Sequence, residues 1–335
     1  MENSQVVKDD YLSLHSSSCI KGICALIIVI SHLKNSTEIL SNSLIGKFFG
    51  LLAYLAVGVF FFFSGYGISL KFKKSGREYI KAFPLVRMLP LYCTCVFLTI
   101  INFVIPIIEF SKISIQYVVC SLLFPGYGIG FGWYIQALFL IYLIFWLVFL
   151  CFPKLNRTVG YVIITSICFC LFFFAKPMLW WQSLLGFLLG CLWAEHKKKI
   201  DRLLSEKRMY LTILLVVVTI FCVTVLMGNL NSIETMWYSK ILKTISVPLF
   251  VTAVLLLIKR INVENVVTSF LGEISLEIYC LQMIFMTLFH SKLIYISNDI
   301  LYWAANLICI IATAWAIHPI VSFINRKTKF KRQEK

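Results

Sequence analysis

Ten long apolar runs dominate this sequence, and they decide what kind of fold it can adopt. A helix that crosses the bilayer needs about 20 mostly apolar residues, whereas soluble domains hold about 45–50% apolar residues overall. Here 60% of the residues are hydrophobic and 14% are charged, which is more apolar surface than a soluble core can bury. We therefore predict an all-α polytopic membrane protein with about ten transmembrane helices, at residues 18–34, 47–70, 86–108, 132–151, 158–175, 179–194, 209–227, 240–258, 272–289 and 300–323.

The distribution of Lys and Arg predicts the orientation of these helices. Cytoplasmic loops carry an excess of both residues, and most of the 31 in this chain lie in alternate segments, above all 71–87 and 197–208. This pattern predicts a multi-pass protein of the cell (inner or plasma) membrane with both termini in the cytoplasm. It also accounts for the net charge of +16 without a nucleic-acid partner. The predicted organisation is a cytoplasmic N-terminal segment at 1–17, a transmembrane domain at 18–324 and a basic cytoplasmic tail at 325–335.

The twelve cysteines predict neither a disulfide framework nor a metal centre. Nearly all of them lie inside apolar runs, where Cys behaves as a small hydrophobic residue. No pair has the companion His or Cys spacing of a zinc site. We therefore expect no metal.

Lys21 and His32 lie on the first apolar run, where polar side chains are costly and become functional candidates. Lys21 and His32 are eleven residues apart, so they share one helix face about 16 Å apart along the axis. His32, towards the outer side, can act as a general base near neutral pH. The alternative is that Lys21 extends to the inner headgroups and His32 only marks the outer interface.

The second run ends with four Phe followed by Ser64-Gly-Tyr-Gly. Glycine permits close approach between helices, so packing is the default role of Ser64. A basic cytoplasmic loop, Lys71 to Arg87, follows. It could hold the phosphates of an anionic coenzyme, or it could be only the orientation signal.

The ninth run carries a carboxylate and an amide inside an apolar helix. Glu277 lies about 7 Å further in than Gly272, and Gln282 about 15 Å. A carboxylate at that depth needs a cationic partner, for which Lys21 and Arg87 are the candidates. Gln282 could instead serve as a hydrogen-bonding contact between helices.

Together these stretches resemble the membrane acyltransferase family 3, which includes bacterial O-acetyltransferases of surface polysaccharides. The matches run in the family's order from about residue 20 to residue 290. The matching stretches are Lys21-Gly22-Ile23 with His32, Phe60 to Ser69, Phe83 to Pro90, Gly132-Trp133-Tyr134 with Leu138, and Ser275 to Tyr279.

The resemblance implies a mechanism. Acetyl-CoA, the acyl donor, docks at the cytoplasmic face with its phosphates near Arg87 and Lys81, and Lys21 stabilises negative charge on the donor side. His32 acts as the base on a sugar hydroxyl or relays the acetyl group, and the acceptor is a glycan or a lipid-linked sugar. The residues expected to line the substrate path are Ser64, Trp133, Tyr134, Glu277, Tyr279 and Gln282.

Two positions depart from the family's pattern. Pro84 stands where the first Arg of an Arg-x-x-Arg pair is expected, and Gln282 stands where a His is expected. Gln cannot take up a proton, so any proton transfer at position 282 is lost.

Two further functions are compatible with these features. One is a transporter or flippase for a lipid-linked glycan, which would be expected to carry internal repeats and broken helices; we find neither in the sequence. The other is a catalytically inactive relative that serves as a scaffold, which the changes at Pro84 and Gln282 make conceivable.

Overall fold

The computed structural model describes residues 10–39, 43–228 and 237–330, and these residues are mainly helical. One isolated antiparallel bridge joins His290 to Tyr295. Residues 1–9 of the predicted N-terminal segment and 331–335 of the predicted tail lie outside the description. The helices are α1 Leu14–Asn35, α2 Leu44–Phe83, α3 Leu89–Asn102, α4 Val104–Ile108, α5 Ile115–Leu123, α6 Trp133–Cys151, α7 Arg157–Ala175, α8 Leu179–Gln182, α9 Leu185–Leu203, α10 Lys207–Gly228, α11 Trp237–Arg260, α12 Val266–Glu273, α13 Ser275–Leu288 and α14 Asp299–Phe330, with a π-helical segment Pro84–Met88 between α2 and α3.

Seven helical spans among the described residues are long and apolar enough to cross a membrane, or eight if the bent pair α12 and α13 forms one span. Besides the bend between α12 and α13, two features make this count lower than ten. The predicted runs 47–70 and 86–108 fall within one continuous stretch, Phe48–Ile108. The run 179–194 divides between the four-residue α8 and α9, whose second half is charged. By length and composition, the chain is a multi-pass helical membrane protein.

The basic segment from Lys71 to Arg87 is helical, so the prediction of a loop there was wrong. Helix α2 continues through it to Phe83 and is interrupted at Gly76, where φ is +53° and ψ is −134°. That backbone conformation is accessible to glycine because it has no Cβ. A π-helical turn from Pro84 to Met88 then leads into α3. Turns of this kind are frequent at functional sites.

The chain divides into two compact units. The first unit comprises residues 1–24, 54–77 and 151–272, and the second comprises 25–53, 78–150 and 273–335. Each is described by itself below.

In the first unit, glycines let the backbones of α2 and α9 approach closely. A Cβ placed on Gly65 would collide with the carbonyl oxygen of Phe187, and one on Gly190 would collide with that of Phe62. The close approach predicted from the Ser-Gly-Tyr-Gly stretch is therefore confirmed at Gly65. At Gly67, in contrast, a Cβ would meet nothing within 4 Å.

This difference predicts the effect of two matched substitutions. Gly65→Ala is expected to lower the free energy of unfolding by about 1–3 kcal/mol, because the added methyl group overpacks the contact with Phe187. Gly67→Ala adds the same methyl group to open space and is expected to be neutral or slightly stabilising, since Ala favours the helix over Gly. Thermal unfolding of the purified protein in detergent measures both, and equal shifts for the two variants would refute the packing role of Gly65.

A charged cluster near the C-terminal end of α9 includes a contact to Tyr11, which precedes α1. The carboxylate of Asp201 accepts hydrogen bonds from Lys197 at 2.8 Å, Lys259 at 3.2 Å and the hydroxyl of Tyr11 at 3.1 Å. Burial raises the pKa of Asp201, but the hydrogen bond and charge of Lys197 and the charge of Lys259 outweigh it, so this pKa lies below its usual value. The carboxylate therefore stays ionised at neutral pH.

In the second unit, α3, α13 and α14 pack against one another. Helix α5 has nine residues and is too short to cross the bilayer, as predicted for segment 113–124. Its placement at the interface or in a re-entrant loop remains a prediction. The glycine-rich turn 125–132 follows α5 and leads into α6, and it shapes the candidate site.

Candidate active site

The glycine-rich turn fixes the position of one aromatic ring, that of Phe131. Gly126 has φ +85°, and a Cβ there would lie 2.7 Å from the carbonyl oxygen of Gly132. The N–H of Gly130 donates to Oδ1 of Asn102 on α3 at 3.4 Å. Phe131 itself has φ +60°, which is unusual for a bulky residue and persists only where the surroundings impose it. Such outliers cluster at functional sites.

His32 stacks on this ring. The centroids of the His32 and Phe131 rings are 3.8 Å apart and their planes differ by 12°. His32 is partly buried near the C-terminal end of α1. Among the described residues, no group forms a hydrogen bond with its ring nitrogens, which are therefore available to a substrate.

Two tyrosines extend the contact from Phe131 to α13 and α6. The hydroxyl of Tyr279 donates to the carbonyl oxygen of Phe131 at 2.5 Å. The Tyr279 ring packs edge-on against that of Tyr134, with centroids 5.7 Å apart. Tyr134 in turn meets the ring of its neighbour Trp133 at 6.5 Å. Three residues predicted to line the substrate path thus lie together, in one series of contacts with His32.

Arg87 also belongs to the second unit, where the hydroxyl of Tyr142 holds its guanidinium group. Its Nε and Nη2 atoms both donate to the Tyr142 hydroxyl, at 3.0 and 2.8 Å, and its guanidinium carbon lies 5.3 Å from the centre of that ring. Tyr142 follows Tyr134 by eight residues on α6, about 12 Å along the helix axis. Within the described ranges, no carboxylate pairs with Arg87. A partly buried cation of this kind is a ready partner for an anionic ligand.

Gln282 belongs to a polar group inside the second unit. Its Nε2 donates to the backbone carbonyl of Tyr279 at 2.9 Å, while its buried Oε1 has no partner among the described residues. Nearby on α3, Asn102 donates to the carbonyl of Cys280 at 3.1 Å. Gln282 and Asn102 therefore act as polar side chains that bond to backbone groups of α13, and Gln282 keeps one acceptor unused.

The partner of Glu277 is His318 on α14, a residue that the sequence reasoning did not consider. Nδ1 of His318 lies 2.7 Å from Oε1 of Glu277, and Nε2 of His318 lies 3.0 Å from the hydroxyl of Ser322. The proposal of Arg87 as partner was wrong, because Arg87 bonds to Tyr142. The signal for His318 was present in the sequence, since it is an ionisable residue inside the last apolar run.

The remaining predicted site residues lie elsewhere. Lys81 is mostly exposed and pairs with Glu78 at 2.9 Å, so it does not join Arg87. Lys21 and Ser64 belong to the first unit. Ser64 is buried in α2, and Lys21 is partly buried in α1, one residue before Gly22, which packs against the backbone of α12.

A cavity of about 430 Å³ opens beside the Phe131 ring. Its walls combine apolar side chains with polar and charged ones from α13 and the loops around it, among them Ser36, Glu109, His290 and Lys292. His290 also borders a second cavity of about 840 Å³ that carries further carboxylate, amide and hydroxyl groups. A concave surface with aromatic walls and a few polar groups is typical of small-ligand sites.

This arrangement can perform two operations. The imidazole of His32 can accept a proton from a hydroxyl next to the cavity, and Arg87 can bind an anionic group further along the unit. Among the described residues, no group of three or more His, Cys, Asp or Glu side chains could hold a metal ion.

Comparison with known proteins gives one match. A family model described as an acyltransferase domain, that of the acyltransferase 3 family, matches residues 14–319 and so nearly the whole chain. Searches of curated proteins and of solved structures give no significant match.

Proposed function

The chain belongs to the acyltransferase 3 family, and on that premise we propose that it moves an acetyl group from cytoplasmic acetyl-CoA to a hydroxyl of a cell-surface or lipid-linked glycan. Membrane acyltransferase activity follows from the family. The proposal adds the donor, the acceptor and the cell (inner or plasma) membrane as the location. The observation that carries it is the series of contacts in the second unit from His32 through Phe131 and Tyr279 to Tyr134.

The proposed topology has ten crossings and two cytoplasmic termini. Eight crossings follow if α12 and α13 form one span. A ninth arises if Phe48–Ile108, counted once so far, crosses twice around its basic middle part. The tenth arises if α8 and the apolar half of α9 together cross once. In this topology the domains are a transmembrane part at 18–324 between the cytoplasmic segments 1–17 and 325–335.

Reporter fusions test this topology. Fusions after Lys74, Lys198 and Lys335 are expected to report the cytoplasm, and fusions near Lys112 and Asn231 are expected to report the outside, because cytoplasmic segments concentrate Lys and Arg. Asn231 and Lys335 lie outside the described residues, so Lys198 and Lys112 are the informative pair. An outside signal at Lys198 would contradict ten crossings.

At the donor end, the guanidinium of Arg87 binds a phosphate of acetyl-CoA. Support comes from its fixed orientation on Tyr142 and from the absence of a paired carboxylate among the described residues. Lys81, which is exposed on the basic extension of α2, supplies a weaker and more distant charge. The role of Lys21, stabilising negative charge on the donor side, stays a prediction that Lys21→Met tests through the rate of transfer at saturating acetyl-CoA.

At the acceptor end, a sugar of the acceptor occupies the cavity beside Phe131. A ring nitrogen of His32 takes the proton of the sugar hydroxyl as its oxygen forms a bond to the acetyl carbonyl carbon. The bond from that carbon to the sulfur of CoA breaks, and the sulfur takes up a proton. In the alternative role of His32, its ring nitrogen carries the acetyl group between CoA and the sugar. Tyr134, Tyr279 and Trp133 line the path of the acyl group, and Oε1 of Gln282 offers one hydrogen-bond acceptor to a hydroxyl of the substrate.

Mass spectrometry of surface polysaccharide tests the function directly. Polysaccharide from cells with the gene is expected to carry an acetyl-sized mass on one sugar, and polysaccharide from cells without it is expected to lack that mass. If cells without the gene have less polysaccharide at the surface, and the sugars of the polysaccharide that is still present keep their masses, the result would instead indicate a transporter.

Arg87→Ala is expected to raise the acetyl-CoA concentration needed for half-maximal rate by about 10- to 150-fold. The reason is the loss of a charge-assisted contact worth about 1.5–3 kcal/mol. Arg87→Lys should recover only part of the loss, because Lys lacks the planar fork that fits both Tyr142 and a phosphate. Membranes with equal amounts of protein give the concentration dependence, and Arg77→Ala, at an exposed position of the same basic segment, is the matched control for loss of one positive charge. If Arg87→Ala and Arg77→Ala behave alike, Arg87 is only an orientation charge.

A further inference from the structure

A cavity of about 920 Å³ lies in the first unit among α7, α8, α9 and α11. It is lined mainly by apolar and aromatic side chains, among them Phe169, Phe173, Trp181 and Trp237. It is separate from the residues that carry the proposed function, all of which except Lys21 and Ser64 belong to the second unit. The apolar lining indicates an apolar ligand, and two lysines of the lining indicate that this ligand also carries a negative charge.

Two lysines, Lys176 and Lys240, are among the residues that line this cavity. Lys176 caps the C-terminal end of α7, where its ammonium group lies 4.7 Å from the centre of the Trp180 ring. Lys240 lies in the first turn of α11. Within the described part of the chain, no carboxylate pairs with either lysine. In the proposed topology both lie on the outer side, which holds few of the chain's basic residues.

The length of the cavity matches one leaflet of the bilayer. Its lining follows α7 from Lys176 back to Thr165, eleven residues or about 16 Å of helix. The hydrocarbon core of a bilayer is about 30 Å thick, so one leaflet contributes about 15 Å. A chain that fills this cavity would therefore start at headgroup level, at the two lysines, and end near the midplane.

We propose that this cavity is a binding site for an anionic phospholipid, with an acyl chain among the aromatic side chains and the phosphate between Lys176 and Lys240. An apolar cavity alone would accept any lipid. The two lysines select the anionic one, because a zwitterionic headgroup brings its own cation to the same place. Basic pockets between transmembrane helices on the cytoplasmic side bind anionic headgroups in this way, and the proposal applies the same charge attraction to the outer leaflet.

Quenching of tryptophan fluorescence tests the site, because Trp181 and Trp237 line it. The full-length protein is reconstituted in phosphatidylcholine vesicles that contain a small fraction of lipid brominated on its acyl chains. Brominated phosphatidylglycerol is expected to quench more strongly than brominated phosphatidylcholine at the same fraction. The variant Trp181→Phe/Trp237→Phe is expected to lose this excess quenching.

The variant Lys176→Gln/Lys240→Gln is expected to need about 30-fold more brominated phosphatidylglycerol for half-maximal quenching, since each of the two lysines near a headgroup contributes about 1 kcal/mol and about 1.4 kcal/mol corresponds to tenfold. The matched control Lys34→Gln/Lys112→Gln removes two basic residues from the second unit and is expected to leave the preference intact. Equal quenching by the two lipids in the wild-type protein, or an unchanged preference in Lys176→Gln/Lys240→Gln, would overturn the proposal. Displacement of the brominated lipid by a polyprenyl phosphate at a lower fraction than by unlabelled phosphatidylglycerol would assign the site to a lipid carrier and overturn it as well.

Discussion

His32→Gln is expected to lower the rate of acyl transfer by about 10²-fold or more while the protein still accumulates in the membrane. General-base catalysis typically contributes about 10²–10⁴-fold. Gln keeps the ability to form hydrogen bonds but cannot accept a proton. His32→Ala is expected to fail similarly, because it removes the base together with the ring that stacks on Phe131.

The controls for this prediction separate chemistry from packing. His196→Gln makes the same change at an exposed position on α9 and is expected to leave the rate unchanged. Gln282→Ala is expected to be milder than His32→Gln, because position 282 already lacks a titratable group. Transfer is measured as acetylated product from equal amounts of membrane protein. An active His32→Gln variant would remove His32 from the mechanism and make it an anchor at the membrane interface.

His318→Leu is expected to lower the free energy of unfolding by about 3–5 kcal/mol. The substitution leaves the carboxylate of Glu277, whose side chain is 2% exposed, without its partner inside an apolar helix pair. Ser322→Ala removes only the outer hydroxyl of this group and is expected to cost about 0.5–1.5 kcal/mol. Thermal unfolding in detergent measures both variants.

A double-mutant cycle isolates the interaction between Glu277 and His318. The variant Glu277→Leu/His318→Leu is expected to be more stable than His318→Leu alone, because replacing both members of a buried pair leaves no unpaired group. Two single effects that simply add in the double variant would show that the pair contributes no coupling energy. The observed contact would then have no role in stability.

The helical fold was predictable because apolar runs of this length can satisfy their backbone groups only as helices in a membrane. The error at 71–87 has the same origin. Charged residues end an apolar run but do not end a helix. Helix α2 passes through Lys71, is interrupted at Gly76, and is helical again through Lys81 until Pro84. Hydropathy therefore predicts where a helix can cross the bilayer more reliably than where it ends.

The candidate site was predictable in part. His32 was chosen as an ionisable group in an apolar helix, and Tyr134 and Tyr279 were chosen through the family resemblance. The three residues meet in one series of contacts. Phe131, which joins them, was missed because an apolar residue in an apolar protein stands out only through its glycine neighbours. The pairing of Glu277 with His318 was missed because it depends on how α13 and α14 pack, which spacing along one helix does not specify.

The most direct test of the account is transfer of labelled acetyl groups in a reconstituted system. The purified protein in liposomes receives labelled acetyl-CoA together with polysaccharide extracted from cells that lack the gene. With the wild-type protein, label is expected on the polysaccharide. With His32→Gln, the rate of labelling is expected to fall by about 10²-fold or more. With Arg87→Ala, a higher acetyl-CoA concentration is expected to be needed for half-maximal rate. Label that reaches the polysaccharide equally fast with His32→Gln, or no label with the wild-type protein, would contradict the central claim.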